Sequence, residues 1–227
     1  PDDRAEYGWY VAGNDPYDFD TAPNSISLGS VIIIRRATPL NGGFDRIVAE
    51  YTGRPGLASE FYEQVRRLLR WFGDANCLYE NEKQHIKEHF KKMYSMDLLA
   101  YTPGVLKANE TSKTAKARIY GQHMSTQVKN ECEIYLREWL LSPIGDGKLQ
   151  LHTIKSIPLL DELISYNVDG NFDRVIALML AIIQLIQMRS IVIEAAKPDK
   201  EGDEDEETTP KKDFFSRKLY ASNMRRR

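Results

Sequence analysis

The sequence is poor in cysteine and has no excess of charge of either sign. Cys77 and Cys132 are its only cysteines and lie far apart, which argues against a disulfide-rich scaffold and favours a reducing compartment. The 31 basic and 33 acidic residues give a net charge of −2. Any binding of nucleic acid must therefore come from local patches. The 227 residues suffice for one sizeable domain.

Segments that would direct the chain to a membrane are also lacking. We find no signal peptide at the start of the chain. The apolar run Val175–Ile186 is shorter than the roughly 20 residues that span a bilayer, and Gln184 interrupts it. This run therefore predicts a buried helix, and we expect no membrane partner.

Several enzyme motifs are absent from the sequence. There is no G-x-S-x-G turn to support a hydrolase triad, and no G-x-x-x-x-G-K-[ST] loop to bind a nucleotide. His85 and His89 have the i, i+4 spacing of zinc ligands, but no metalloprotease Glu lies between them and no third ligand is evident. We interpret them as surface or groove histidines.

The first part of the chain predicts a sheet. "YGWYVAGND" (7–15), "SLGSVIIIRRAT" (27–38) and "DRIVAEYTGR" (45–54) indicate three strands, and the "NGGF" turn favours an antiparallel meander. "DANCLYEN" (74–81) and "DLLAYTPG" (97–104) predict a fourth and a fifth strand. The expected fold is α/β, with a mixed five-stranded sheet flanked by helices.

The segments between and after the predicted strands have the periodicity of helices. Five apolar residues from Phe61 to Phe72 share one helical face, and a second helix follows Asn81, a plausible N-cap. A third helix is expected over 125–142, a short one opens at Pro158, and a long apolar helix runs from near Phe172 to about Glu194.

The end of the chain has a different composition. Residues 197–213 form a charge-dense linker that cannot bury a core, and a short basic, aromatic segment, "FFSRKLYASNMRRR", follows it. We therefore divide the chain into a domain over 1–196 and a tail over 197–227. The tail has the composition of a docking peptide that orders on a partner. The alternatives are a frayed end whose aromatic residues rest against the domain and an acidic run that folds back over the basic groove and mimics DNA.

Three acids occupy comparable positions in these elements. Asp15 ends the first strand, Glu80 ends the fourth, and Asp173 begins the long apolar helix. Strand ends and helix starts converge on one edge of an α/β sheet, where carboxylates can bind Mg²⁺ or Mn²⁺. Two such ions about 4 Å apart can hydrolyse a phosphodiester. The alternatives are solvated turn residues and, for Asp173, stabilisation of a helix N-terminus.

The motifs around these acids resemble one family. "GNDPYDFD", "CLYENE" and "FDRVIALMLA" occur in the order and spacing seen in the C-terminal nuclease domain of the phage terminase large subunit, whose fold is RNase H-like. The resemblance covers roughly residues 7–190 and includes "KTAKARIYG", which is similar to the family's basic segment. It implies a viral DNA-packaging endonuclease.

The resemblance also implies roles for individual acids. Asp15, Glu80 and Asp173 become the catalytic metal ligands for two Mg²⁺ or Mn²⁺ ions. Asp20 matches an auxiliary acid of the family, with Asp18 as the alternative. Relatives carry a His-Asp-Asp run where this chain has Asn171, Phe172 and Asp173, so one acid is missing and Asp169 is a possible substitute.

A basic segment beyond the fifth strand is the candidate DNA contact. Its cations are Lys107, Lys113, Lys116 and Arg118. A solvated loop is the alternative, and the family resemblance favours contacts with DNA phosphates.

The resemblance implies partners and a location as well. They are double-stranded DNA, a portal protein, the small terminase subunit and the ATPase domain of a longer chain, in the cytoplasm of a bacteriophage's host. The portal protein is the candidate partner of the tail. Two other functions stay open: a resolvase-type nuclease that acts on branched DNA, and a non-catalytic module that docks on a portal or capsid protein.

Overall fold

The computed structural model describes residues 5–18, 27–38, 43–106 and 119–195, with side chains as far as Ile191. Its main sheet contains four strands: β1 (Tyr10–Asp15), β2 (Gly29–Arg35), β3 (Arg46–Gly53) and β4 (Asn76–Tyr79). Two short strands, β5 (Pro143–Gly145) and β6 (Lys148–Leu149), form a separate two-stranded sheet.

Five α-helices accompany these strands within the described residues. They are α1 (Ala58–Trp71), α2 (His85–Lys92), α3 (Thr126–Leu141), α4 (Ile157–Ser165) and α5 (Asp173–Ala195). Short 3₁₀ turns lie at Met96–Leu98 and Gln150–Thr153. The fold is mixed α/β, as the sequence predicts.

The main sheet has the strand order β3-β2-β1-β4. β1, β2 and β3 pair antiparallel, which confirms the predicted meander. β4 pairs parallel to β1, with Asn14 opposite Tyr79. The parallel pairing brings the carboxyl ends of β1 and β4 to the same edge, so the residues that follow these strands become neighbours.

The predicted fifth strand over 97–104 is not a continuous strand. The segment begins in the 3₁₀ turn Met96–Leu98, and then Leu99 bridges Cys77 while Tyr101 bridges Tyr120. Only the Leu99 bridge is to β4, and no ladder forms, because the 3₁₀ turn precedes Leu99 and Pro103, which lacks an N–H donor, follows Tyr101. A five-stranded sheet is therefore not present in the described residues.

Helix α5 packs directly on the sheet. Its residues Val175 to Ile183 are buried, and it contacts β1, β2, β4 and α3. A Cβ atom added to Gly13 would lie 2.8 Å from the backbone of Leu180 and closer still to backbone atoms of Ala177 and Ala181. Glycine therefore permits the helix backbone to approach the middle of β1.

The position of α5 decides how its apolar composition is interpreted. By length and composition alone, Asp173–Ile191 could cross a membrane, but 61% of that stretch is buried inside the molecule. The prediction of a buried core helix is confirmed.

The start of α2 differs from the prediction. The helix begins at His85 after Gln84, so Asn81 is not its N-cap. Asn81 instead donates from its side-chain amide to the carbonyl of Tyr120, 3.3 Å away. This bond ties the turn after β4 to the neighbouring segment 120–122.

Candidate functional site

Asp15 and Glu80 lie side by side at the carboxyl edge of the sheet. Asp15 is the last residue of β1 and is only 7% exposed. Glu80 follows β4 directly, and its N–H donates to the carbonyl of Asn14 at 3.0 Å. The backbone pairing of β1 and β4 therefore holds both carboxyl groups in place.

Glu80 acts on the carboxyl group of Asp15 both through its charge and as a hydrogen-bond partner, and a bond between two carboxyl groups requires a proton on one of them. Burial raises the pKa of Asp15 well above its usual range, and the charges of Glu80 and Asp173 raise it further, while Lys83 opposes them. Without a bound cation, protonation of Asp15 would relieve this repulsion.

Asp173, the third acid, is 6% exposed and faces the segment that leads into β2. Its Oδ2 accepts from the N–H of Leu28 at 2.9 Å and from the amide of Asn171 at 3.3 Å, and its Oδ1 accepts from the hydroxyl of Ser27 at 3.2 Å. Burial raises the pKa of Asp173 above its ordinary value and the charge of Glu162 adds to this, while the bonds from Leu28, Ser27 and Asn171 oppose the rise only in part.

Glu162, and not Asp173, accepts hydrogen bonds from the backbone N–H groups at the N-terminus of α5. Glu162 of α4 accepts from the N–H groups of Arg174 and Val175 at 2.9 and 3.4 Å. The guanidinium of Arg174 also pairs with Glu162 at 2.6 Å and with Glu50 at 2.8 Å. Glu162 thus satisfies donors of the first turn, while the carboxylate of Asp173 bonds outside the helix.

The three predicted ligands therefore meet at one edge, and their chemistry suits a hard divalent cation. All of the donors are carboxylate oxygens, and a cation would relieve the repulsion that Glu80 and Asp173 exert on Asp15. However, hydrogen bonds fill about three of the roughly four lone-pair sites of Asp173. No group of three His, Cys, Asp or Glu side chains in the described part of the chain has the arrangement of a metal site.

The auxiliary acids have different surroundings. Both oxygens of Asp18 accept hydrogen bonds, from the Tyr62 hydroxyl and from the N–H of Gln84, each at 3.0 Å. Asp18 thereby connects α1 to the start of α2 and is not a free ligand. Asp169 is exposed in the turn before α5. Asp20 lies outside the described residues.

Of the other candidate residues, the two histidines are described by the structure and the basic residues are not. The basic residues Lys107, Lys113, Lys116 and Arg118 lie outside the described residues. His85 is exposed and contacts the carbonyl of Asp18, while His89 contacts Glu63 at 3.3 Å. Each histidine therefore has its own neighbour in the α1–α2 region, which agrees with their interpretation as surface or groove residues.

Ser27 and Lys83 belong to the site but were not predicted from the sequence. Ser27 lies 146 positions before Asp173, so no local pattern connects them. Lys83 could have been predicted from the sequence as a residue of the site, because it is three residues after Glu80 in the same strand-to-helix turn. A lysine so close to a candidate ligand is within reach of the same edge.

Comparison with known proteins assigns no family, since no protein-family model matches the chain and no curated protein matches it significantly.

Proposed function

We propose that this chain is a metal-dependent DNA endonuclease, of the RNase H-like type found in viral packaging terminases. The observation that carries the proposal is the convergence of Asp15, Glu80 and Asp173 on one edge of the sheet, where Asp15 and Asp173 are buried and Glu80 is half-buried. A buried carboxyl group such as Asp15, with other acids beside it, is costly to keep, and perturbed groups of this kind cluster at functional sites.

The strand order β3-β2-β1-β4 supports the RNase H-like assignment. It has the expected antiparallel meander followed by a strand parallel to the first. Leu99 bridges Cys77 of β4 on the side where a fifth strand is expected. The finer assignment to the terminase family rests on the sequence motifs.

The residues of the site have separate tasks in this proposal. Asp15 and Glu80 would hold one Mg²⁺ or Mn²⁺, and Asp173 would offer its remaining lone pair to a second ion or to a water. Bound ions of this kind activate a water and stabilise the charge that develops on the phosphate. The bonds of Asp173 to Ser27 and Leu28 fix its carboxylate, and α5 gives it a rigid base.

The proposal implies partners that the sequence also suggested. They are double-stranded DNA as substrate, an ATPase domain and small subunit of the same motor, and a portal protein, all in the host cytoplasm. The basic segment with Lys113, Lys116 and Arg118 would contact DNA phosphates.

Plasmid nicking tests the proposal. We expect Mn²⁺- or Mg²⁺-dependent nicking of supercoiled DNA that EDTA stops, and we expect Asp15→Asn and Glu80→Gln each to abolish it. Asp173→Asn should reduce it strongly. Asp161→Asn, an exposed acid on α4, is the matched control and should nick like the wild type. Nicking at the wild-type rate by Asp15→Asn would refute the assignment.

A second experiment tests the DNA contact. Replacing Lys113, Lys116 and Arg118 together with Ala should weaken duplex binding and flatten its dependence on salt, because each phosphate contact releases about one counterion. An unchanged salt slope would assign these residues to the solvated surface.

One observation favours a second candidate, a non-catalytic module that docks on a portal or capsid protein. The hydrogen bonds that occupy Asp173 leave no ready three-ligand group in the described residues. In that case the acids would hold β1, β4 and the segment before β2 together. A folded protein that nicks neither plasmid nor branched DNA with either metal would support this candidate.

A further inference from the structure

The positive charges near the acidic edge are almost all engaged elsewhere. Arg174 pairs with Glu50 and Glu162. Arg54 donates to the carbonyl of Ser27, and its guanidinium lies 4.6 Å from the centre of the Tyr17 ring. These cations stabilise the framework of the site, and their bonding capacity is largely used.

Lys83 is different. Its side chain is half-buried, and it forms neither a hydrogen bond nor an ion pair with any residue that the structure describes. Its charge nevertheless reaches Asp15, because Lys83 is the one cation among the main influences on that carboxyl group. An ammonium group without a protein partner keeps its N–H donors available, so a bound anion would pair with it.

The turn that carries Lys83 is fixed on both sides. Asn81 donates from its N–H to the carbonyl of Gln122 at 3.0 Å, and Gln84 donates from its N–H to Asp18 at 3.0 Å. The side chain of Gln84 also donates to the carbonyl of Asn81. The backbone of Lys83 is therefore held between the end of β4 and the start of α2, three residues from Glu80.

We propose that Lys83 is a substrate-binding residue of this site, whose ammonium group contacts a non-bridging oxygen of the phosphodiester to be cut. The inference rests on the proposed nuclease function. A phosphodiester that approaches three carboxylates meets like charge, and a cation at their rim reduces that repulsion. Lysine suits this task because its ammonium is a compact charge on a flexible stem.

The test compares Lys83→Met, which keeps the stem and removes the charge, with Lys83→Arg and with Lys91→Met. Lys91 is an exposed lysine of α2 and serves as the matched control. We measure kcat/KM for nicking of a short duplex with Mn²⁺, the binding of that duplex without metal, and the Mn²⁺ concentration at half-maximal activity.

Loss of one charge-assisted hydrogen bond to phosphate predicts a fall in kcat/KM of about 10- to 100-fold for Lys83→Met. Lys83→Arg should retain most of the activity, and Lys91→Met should match the wild type. The half-maximal Mn²⁺ concentration of Lys83→Met should stay the same or fall, because a cation that competes beside the acids is gone.

Other outcomes would overturn the role. If Lys83→Met keeps kcat/KM within twofold while the wild type nicks, Lys83 does not bind the substrate. If the loss is restored by more Mn²⁺ or by a shift of pH, Lys83 only adjusts the charge of the acids. If the wild type itself does not nick, the proposed function fails, and an unchanged duplex affinity in Lys83→Met would then refute phosphate binding separately.

Discussion

Gly13→Ala tests whether the direct packing of α5 on β1 builds the site. The added methyl group would lie 2.8 Å from the backbone of Leu180 and nearer still to backbone atoms of Ala177 and Ala181. Overpacking that flexible side chains absorb costs about 1–3 kcal/mol. Here a helix backbone must move, so we expect a cost at the upper end of that range. The lower backbone entropy of alanine offsets roughly 0.5–1 kcal/mol.

The expected net loss is about 2–2.5 kcal/mol, which lowers Tm by roughly 4–10 °C in a domain of this size. The shift of α5 would also move Asp173 relative to Asp15, so nicking should fall in the fraction that stays folded. Thermal unfolding followed by circular dichroism measures the first effect. Gly56→Ala is the control, because its added Cβ meets nothing within 4 Å. A Tm for Gly13→Ala within 1 °C of the wild type would refute this account of the packing.

Two predictions concern pH and one concerns a hydrogen bond. The pKa of Asp15 is raised in the fold, so its stabilising contribution is present at low pH and is lost as pH rises through that pKa. In EDTA at neutral pH, Asp15→Asn should therefore melt above the wild type, and equal or lower stability would contradict the repulsion among the acids. Hydrogen bonds from Arg66 lower the pKa of Glu63 from 4.5 to about 2. The contribution of Glu63 to stability is therefore lost as pH falls between these two values. Glu63→Gln should flatten the acid limb of the curve of stability against pH. Ser27→Ala should lower nicking about 3- to 10-fold and Tm by only a few degrees, because it removes one bond that orients a carboxylate; unchanged nicking would show that this bond has no part in orienting it.

Much of the fold could be predicted because its patterns are local. The alternation in β1 to β3 and the apolar face of α1 follow from neighbouring residues, and their predicted positions agree with the structure to within a few residues. The convergence of Asp15 and Glu80 could be predicted as well, since it follows from topology. Two parallel strands must end at the same edge.

The failed predictions depended on contacts between distant segments. The stretch after Met96 has the composition of a strand, but only isolated residues bridge to their neighbours. Asn81 has the chemistry of an N-cap, but the carbonyl of Tyr120 is its partner. The bonds from Ser27 and Leu28 to Asp173, which were not predicted at all, connect residues about 145 positions apart, and no periodicity in the sequence encodes them.

The central claim is that Asp15 and Glu80 bind a divalent cation, and Mn²⁺ binding followed by calorimetry tests it most directly. We predict saturable binding to the wild type, with loss of that binding in Asp15→Asn and in Glu80→Gln and retention in Asp161→Asn. Binding should also release protons, because the raised pKa of Asp15 favours a proton that the cation displaces. Absence of Mn²⁺ binding to the folded wild type, or equal binding by all four proteins, would contradict the account.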